Sequence, residues 1–221
     1  MRRIDRPSPN HDSRGDTAVN MLVLHYTGMA SGAEALERLC DPAAKVSAHY
    51  TIDEDGTVYG HVAEDRRAWH AGVSHWAGVN NLNSCSIGIE LVNPGHEFGY
   101  RAFPEAQIAS LIELCSGILQ RHAIPAARVL AHSDVAPARK EDPGELFPWQ
   151  HLAKAGIGLW PQSMTSDLGP DALSRYGYDP DVPQEKAIAA FQRHFRPKKL
   201  DGQWDRECAG LLAWLLAQAG V

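Results

Sequence analysis

Several absences narrow the field. Only four cysteines occur in 221 residues, and Cys40, Cys85, Cys115 and Cys208 form no C-x-x-C pair. That scatter argues against a disulfide framework or a thiolate zinc cluster. Cys40 and Cys115 fall in apolar helical stretches and read as buried free thiols. Basic residues are in deficit, since 21 Lys and Arg against 27 Asp and Glu leave a formal net charge of -6. With no cationic excess to neutralise phosphates, nucleic acid is not an expected partner, and no polybasic segment is present to hold a membrane surface. The longest apolar stretch, near Leu211 to Leu216, is far too short to cross a bilayer. The opening MRRIDRPSPN is polar and has no apolar run after its arginines. A cytoplasmic protein without a membrane anchor is therefore the expectation, with a periplasmic or envelope location as the alternative if a leader is missing from this sequence. No internal repeat or low-complexity tract is visible, and no short zinc motif such as H-E-x-x-H.

What is present is a globular composition, 44% hydrophobic and 22% charged, sized for one full domain and a small appendage. Residues Val19 to His25, VNMLVLH, form a compact apolar run suited to a buried strand. SGAEALERLC has helical spacing and stops before Asp41 and Pro42. SAHYTIDEDGTVYGHV reads as a hairpin around Asp55 and Gly56. A loop rich in Trp, His, Gly and Asn runs from Trp69 to Asn83, followed by another apolar strand, SIGIELVN. The longest amphipathic helix is PEAQIASLIELCSGILQRH, with Pro104 at its first turn and Ile108, Leu111, Ile112, Cys115 and Leu119 on its inner face. RVLAH is a short strand and FPWQHLAKAG a short helix. Strands alternating with helices predict an α/β fold with a central mixed β-sheet flanked by helices. The domain organisation expected is 1–160 as the main body, 161–169 as a linker, and 170–221 as a small three-helix domain.

Chemistry concentrates at a few positions. His25 and His132 each stand at the end of an apolar strand, where side chains emerge into loops. Two imidazoles and one carboxylate make a common shell for a hydrolytic zinc ion. Asp142 is either that carboxylate or a loop aspartate preparing the turn at Pro143 and Gly144. Glu90 is either a solvent-facing glutamate on an edge strand or a buried carboxylate, which costs several kcal/mol unless something compensates its charge. Lys140, in RKED, is either solvated surface or a group able to stabilise an oxyanion. Trp69, His70 and Trp76 are candidate walls of a sugar or peptide cleft, and Tyr26, His49 and Asn93 candidate lining residues.

These segments, in order, resemble a known family. LVLHYT around His25, SAHY, AWHAGVSHW, LNSCSIGIELVN and AHSDVAPARKEDPGELFPW are similar to the zinc-dependent N-acetylmuramoyl-L-alanine amidases of the amidase-2, T7 lysozyme-like family. The resemblance runs from about Arg6 to Trp160. Beyond it, Gly177 and Tyr178, AIAAFQ, FRP, and Asp201 with Gly202 resemble the C-terminal peptidoglycan-binding-like domain of one branch. The resemblance implies one Zn²⁺ on His25, His132 and Asp142, and catalytic roles for Glu90 and Lys140. It implies a substrate-binding surface including Tyr26, His49, Trp69, His70 and Asn93. The implied partners are peptidoglycan or muropeptide fragments, and a monomer is expected. The implied reaction is hydrolysis of the amide between N-acetylmuramic acid, ordinary or 1,6-anhydro, and L-alanine of the stem peptide. The alternative is a peptidoglycan recognition protein that binds without cutting.

Overall fold

The computed structural model describes Met1–Val221. In chain order the elements are β1 (Arg3–Asp5), β2 (His11–Ser13), β3 (Met21–Tyr26), α1 (Gly32–Cys40), β4 (Tyr50–Ile52), β5 (Val58–Gly60) and β6 (Arg66–Ala68). Next come β7 (His75–Trp76), β8 (Val79–Asn80), β9 (Ser86–Leu91), α2 (Gly95–Phe98), α3 (Glu105–Arg121), β10 (Val129–Ala131) and α4 (His132–Val135). The chain ends with α5 (Trp149–Lys154), α6 (Leu173–Tyr176), α7 (Gln184–Phe195) and α8 (Arg206–Ala219). Six strands form one sheet in the order β1-β5-β4-β9-β3-β10. Only β4 and β5 pair antiparallel in it, so the sheet is mixed, as the sequence predicts. No helix is long and apolar enough to cross a membrane.

The two longest strands, β3 and β9, lie inside the sheet and are covered on both faces. Leu22, Leu24, Ile87, Ile89 and Leu91 point to one side and pack with Ile108, Leu111, Leu114, Cys115 and Ile118. Each such side chain, fully buried, contributes about 1.5–3 kcal/mol. The buried stripe of α3 is centred differently from the sequence expectation. Leu114 and Ile118 are sealed, whereas Ile112 and Leu119 are half-buried at its margin. Buried Gln107 donates to the carbonyls of Ile52 and Val92, and Ser110 to that of Gly56, so polar groups dock this helix as well.

The opposite face carries Met21 and Val23, and here the C-terminal helices close the sheet. Met21, Val23, Trp76, Leu82, Leu130 and Val135 share one apolar cluster with Tyr178, Ile188, Phe191, Phe195, Leu212 and Leu215. Residues 161–169 form no helix or strand. Trp76 is therefore no cleft wall. It is sealed at 1% exposure, with ring centroids 5.5 Å from Tyr176 and 5.0 Å from Tyr178. One further expectation is corrected. Cys40 is only half-buried, near the Arg6 carbonyl and His61. The segment at the N-terminal end supplies β1 and β2, which pair with β5 and β6, because short edge strands need no apolar periodicity.

One cluster spanning both parts predicts a single unfolding event. Trp76→Ala should lower the unfolding free energy by about 3–5 kcal/mol, with far-UV circular dichroism and tryptophan fluorescence of the parent changing together in urea. Separate transitions would show instead that the C-terminal helices are a unit with a core of their own.

Candidate active site

In the parallel pair β3–β9, His25 lies directly opposite Glu90, and Val23 opposite Gly88. Aligned neighbours in a sheet project to the same face, so the imidazole and the carboxylate share the side not occupied by α3. β9 is flanked by β4 and β3, which removes the edge-strand reading of Glu90. His132 begins α4 immediately after β10. The Ser133 amide donates to the Asp142 carbonyl at 3.0 Å, which folds the following loop back over that turn.

The result is a tight convergence. His25 Nδ1 and His132 Nδ1 lie 2.9 Å apart, and Asp142 Oδ2 is 3.1 Å from the first and 2.9 Å from the second. All three residues are buried. Burial first, and then the neighbouring His132, pushes the His25 imidazole down to about 4, so it is neutral at physiological pH. Neutral imidazole carries one donor and one lone pair, and the outer hydrogen bonds decide which nitrogen has which.

For His132, Nε2 faces the Ala71 carbonyl at 3.1 Å and must donate. Its Nδ1 is then a lone pair facing the cluster. For His25 the decision is relayed. The Ser86 hydroxyl donates to the Leu82 carbonyl, so it accepts from His70 Nε2 at 3.1 Å. His70 Nδ1 is thereby a lone pair and accepts from His25 Nε2 at 3.0 Å. His25 Nδ1 is left, like His132 Nδ1, as a lone pair pointing inward. Two lone pairs and a carboxylate facing one point repel one another unless a cation stands between them. The donor set is one that suits zinc, with each imidazole anchored through its outer nitrogen.

A cleft of about 650 Å³ opens over the cluster, lined by Glu90, His132, Lys140, Asp142, Tyr26 and Trp69, among others. Glu90 is half-buried, and its Oε2 is sealed from water without a hydrogen-bond partner. Burial, and then the charge of Asp142, holds its carboxyl well above the ordinary range, with Lys140 acting in the opposite direction.

The residues expected to bind substrate divide. Tyr26 and Trp69 line the cleft, the Tyr26 hydroxyl lying 2.9 Å from His96 Nδ1. His70 reaches the cleft floor, but its ring nitrogens are engaged by His25 and Ser86, so it orients the His25 imidazole. His49 is not in the cleft. It is fully buried, accepts the Gly88 amide at Nδ1 and meets the Arg66 carbonyl with Nε2. Asn93 is likewise sealed, holding Arg101 and Gly95 in the loop after β9. Both brace backbone and neither lines the cleft.

Sequence reasoning missed Ser86, Asn83 and Arg139. Asn83 Oδ1 accepts the amides of His70 and Ala71, which fixes the segment supplying both outer anchors. Arg139 clamps the carbonyls of Ala71 and Val73 and lines the cleft. A signal for this set exists in Gly88. Any Cβ there would run into the His70 ring, so a glycine is required in the middle of an otherwise apolar strand.

Comparison with known proteins identifies the family. Residues 15–145 match the family described as N-acetylmuramoyl-L-alanine amidase. The chain is 38% identical over 235 residues to N-acetylmuramoyl-L-alanine amidase AmiD of Escherichia coli strain K12, covering 91% of this chain and 84% of that protein. The structure of E. coli AmiD with the substrate anhydro-N-acetylmuramic acid-L-Ala-D-gamma-Glu-L-Lys superposes with a TM-score of 0.81 over 97% of this chain and 93% of that one, at 37% identity. AmpDh3 from Pseudomonas aeruginosa, in complex with anhydromuramic pentapeptide, gives 0.80 at 35% identity, covering 97% and 96%. A shorter relative, 1,6-anhydro-N-acetylmuramyl-L-alanine amidase AmpD of Enterobacter cloacae, is 35% identical over 164 residues, covering 66% of this chain and 86% of that protein. The chain belongs to the N-acetylmuramoyl-L-alanine amidase family, enzymes that hydrolyse carbon–nitrogen bonds other than peptide bonds.

Proposed function

We propose that this protein holds one zinc ion on His25, His132 and Asp142 and hydrolyses the amide joining N-acetylmuramic acid, ordinary or 1,6-anhydro, to L-alanine of a peptidoglycan stem peptide. The observation that carries this reading is the inward convergence of two imidazole lone pairs and a carboxylate on the cleft floor, beside an unpartnered glutamate. When bound, zinc supplies a Lewis acid that polarises the scissile carbonyl and makes water a stronger acid near neutral pH.

The protein's own groups do the rest. Glu90 takes a proton from the attacking water as its oxygen adds to the lactyl carbonyl carbon. It then returns that proton to the alanine nitrogen as the carbon–nitrogen bond breaks, so a carboxylate and a free peptide amine leave. The Lys140 ammonium, on the cleft wall, stabilises the negative charge gathering on the carbonyl oxygen. His70 and the Ala71 carbonyl keep both ligand imidazoles in the tautomer the metal needs. Tyr26 and Trp69 offer ring surface to the sugar or the peptide.

His25→Ala should lose stoichiometric zinc by elemental analysis. Glu90→Gln should keep the metal yet release free peptide from a soluble anhydromuropeptide about 10²–10⁴-fold more slowly. Full turnover in zinc-loaded Glu90→Gln would take Glu90 out of the mechanism.

The raised Glu90 carboxyl has a thermodynamic signature in chelator-treated protein. Unfolded glutamate ionises near pH about 4.3. Above that pH the native state retains a proton that the unfolded state has released, so parental stability falls as pH rises towards the folded value. Glutamine cannot ionise. The thermal midpoint of metal-free Glu90→Gln should therefore gain on the parent between pH 4 and pH 7. A difference independent of pH would mean that Glu90 is not held protonated.

A further inference from the structure

Asp134, two residues after the ligand His132, is fully buried and sits between the catalytic body and the C-terminal helices. Its carboxylate accepts three hydrogen bonds. One comes from the Ala131 amide at 2.8 Å, at the junction where β10 becomes α4. The other two come from the C-terminal part, from the Tyr178 hydroxyl at 2.7 Å and from His194 Nδ1 at 2.6 Å. Tyr178 and His194 are themselves buried. The His194 ring is stacked between Trp149 of α5, at 3.7 Å, and Phe195, at 3.8 Å. A buried carboxylate keeps its orientation only while its donors remain. This one uses that orientation to hold the backbone immediately before His132.

We propose that Tyr178 and His194 are positioning residues, through which the C-terminal helices set the His132 turn of the metal site by way of Asp134. This rests on the zinc assignment above. It gives the C-terminal helices a role in the chemistry itself, separate from any contact with the cell wall. Without the two donors Asp134 has a single partner in a closed pocket. The Ala131 amide and the turn after it then lose a fixed reference. The Ser133 amide bonds the Asp142 carbonyl, so a shift there moves two ligands together.

The test uses the full chain. Tyr178→Phe with His194→Phe removes both donors while keeping aromatic rings against Trp76, Trp149 and Phe195. Zinc affinity, measured by competition with a chromophoric chelator, should fall roughly tenfold or more, the usual range for groups behind a metal ligand. On a soluble anhydromuropeptide, where wall binding plays no part, kcat should fall and KM stay within about twofold of the parent. Asparagine places an amide donor near the position of imidazole Nδ1. His194→Asn in the Tyr178→Phe background should therefore bring affinity and kcat back from the double variant's values to those of Tyr178→Phe alone. Leu215→Ala, in the shared apolar cluster but on α8, which gives Asp134 no hydrogen bond, should lower the thermal midpoint and leave zinc affinity and kcat unchanged.

Parental zinc affinity and kcat in the double phenylalanine variant would overturn the proposal, as would an equal loss in Leu215→Ala. Should the double variant not fold, Tyr178→Phe alone is measured in the same way, and parental affinity and kcat in it overturn the proposal equally. His25→Ala is run alongside. If it too keeps zinc, the metal assignment is what has failed. If it loses zinc while the double variant matches the parent, the assignment stands and the positioning role does not.

Discussion

The arrangement on which the structure depends is two imidazole lone pairs held facing one carboxylate. It is electrostatically unfavourable by itself, so it exists only because the surroundings leave the side chains no alternative. His132 is fixed by one backbone carbonyl, and His25 by a relay through His70 to the Ser86 hydroxyl and the Leu82 carbonyl. Each step assigns a proton, and an error at any step would turn a lone pair into a donor at the centre. The burial that keeps the His25 and His70 imidazoles neutral also forbids them a casual escape to water.

Sheet geometry delivers the parts. Parallel pairing of β3 with β9 places His25 beside Glu90 on one face, while the leucines and isoleucines of the same strands are sent to the other. One residue of slip would exchange the two sets. Register is therefore specified by the core packed against α3, and the site inherits its placement from apolar packing behind it. Gly88 belongs to the same logic, because the strand must leave room for His70 at the position between Ser86 and Glu90.

Much of this is legible in the sequence and some is not, for physical reasons. Long apolar runs such as MLVLH and SIGIEL announce themselves as central strands, because burial on both faces demands it. The edge strands near Arg3 and His11 do not, since half their backbone faces away from the core. His25, His132 and Asp142 lie in separate segments and only ordered motifs connect them. Spacing alone leaves Asp142 indistinguishable from a turn aspartate. His49 and Asn93 show the opposite failure. They are polar residues in site-like contexts, but their hydrogen bonds go to backbone groups of neighbouring segments. Nothing local in a sequence states which way a histidine points. Trp76 misleads for a related reason, because an aromatic residue in a polar loop looks exposed until a later segment of chain covers it.

The helix α7 shows what the C-terminal part contributes beyond apolar area. AIAAFQ alone fits a helix packed by small and aromatic residues, yet three successive side chains at its end, Gln192, Arg193 and His194, are polar and buried. Each is turned to a different partner. Gln192 closes its own following loop through the amides of Asp201 and Gly202. Arg193 reaches Glu141 at 3.4 Å and Glu145 at 3.8 Å, in the loop that carries Lys140 and Asp142. His194 meets Asp134 beside His132. A module whose sole duty was to grip an external ligand would gain most by turning such groups outward, where desolvation costs least. Here Arg193 and His194 are turned inward, to the two segments that carry Asp142 and His132. Buried polar contacts are specific where apolar ones are permissive, so the C-terminal helices constrain the geometry of the metal site as well as covering the sheet.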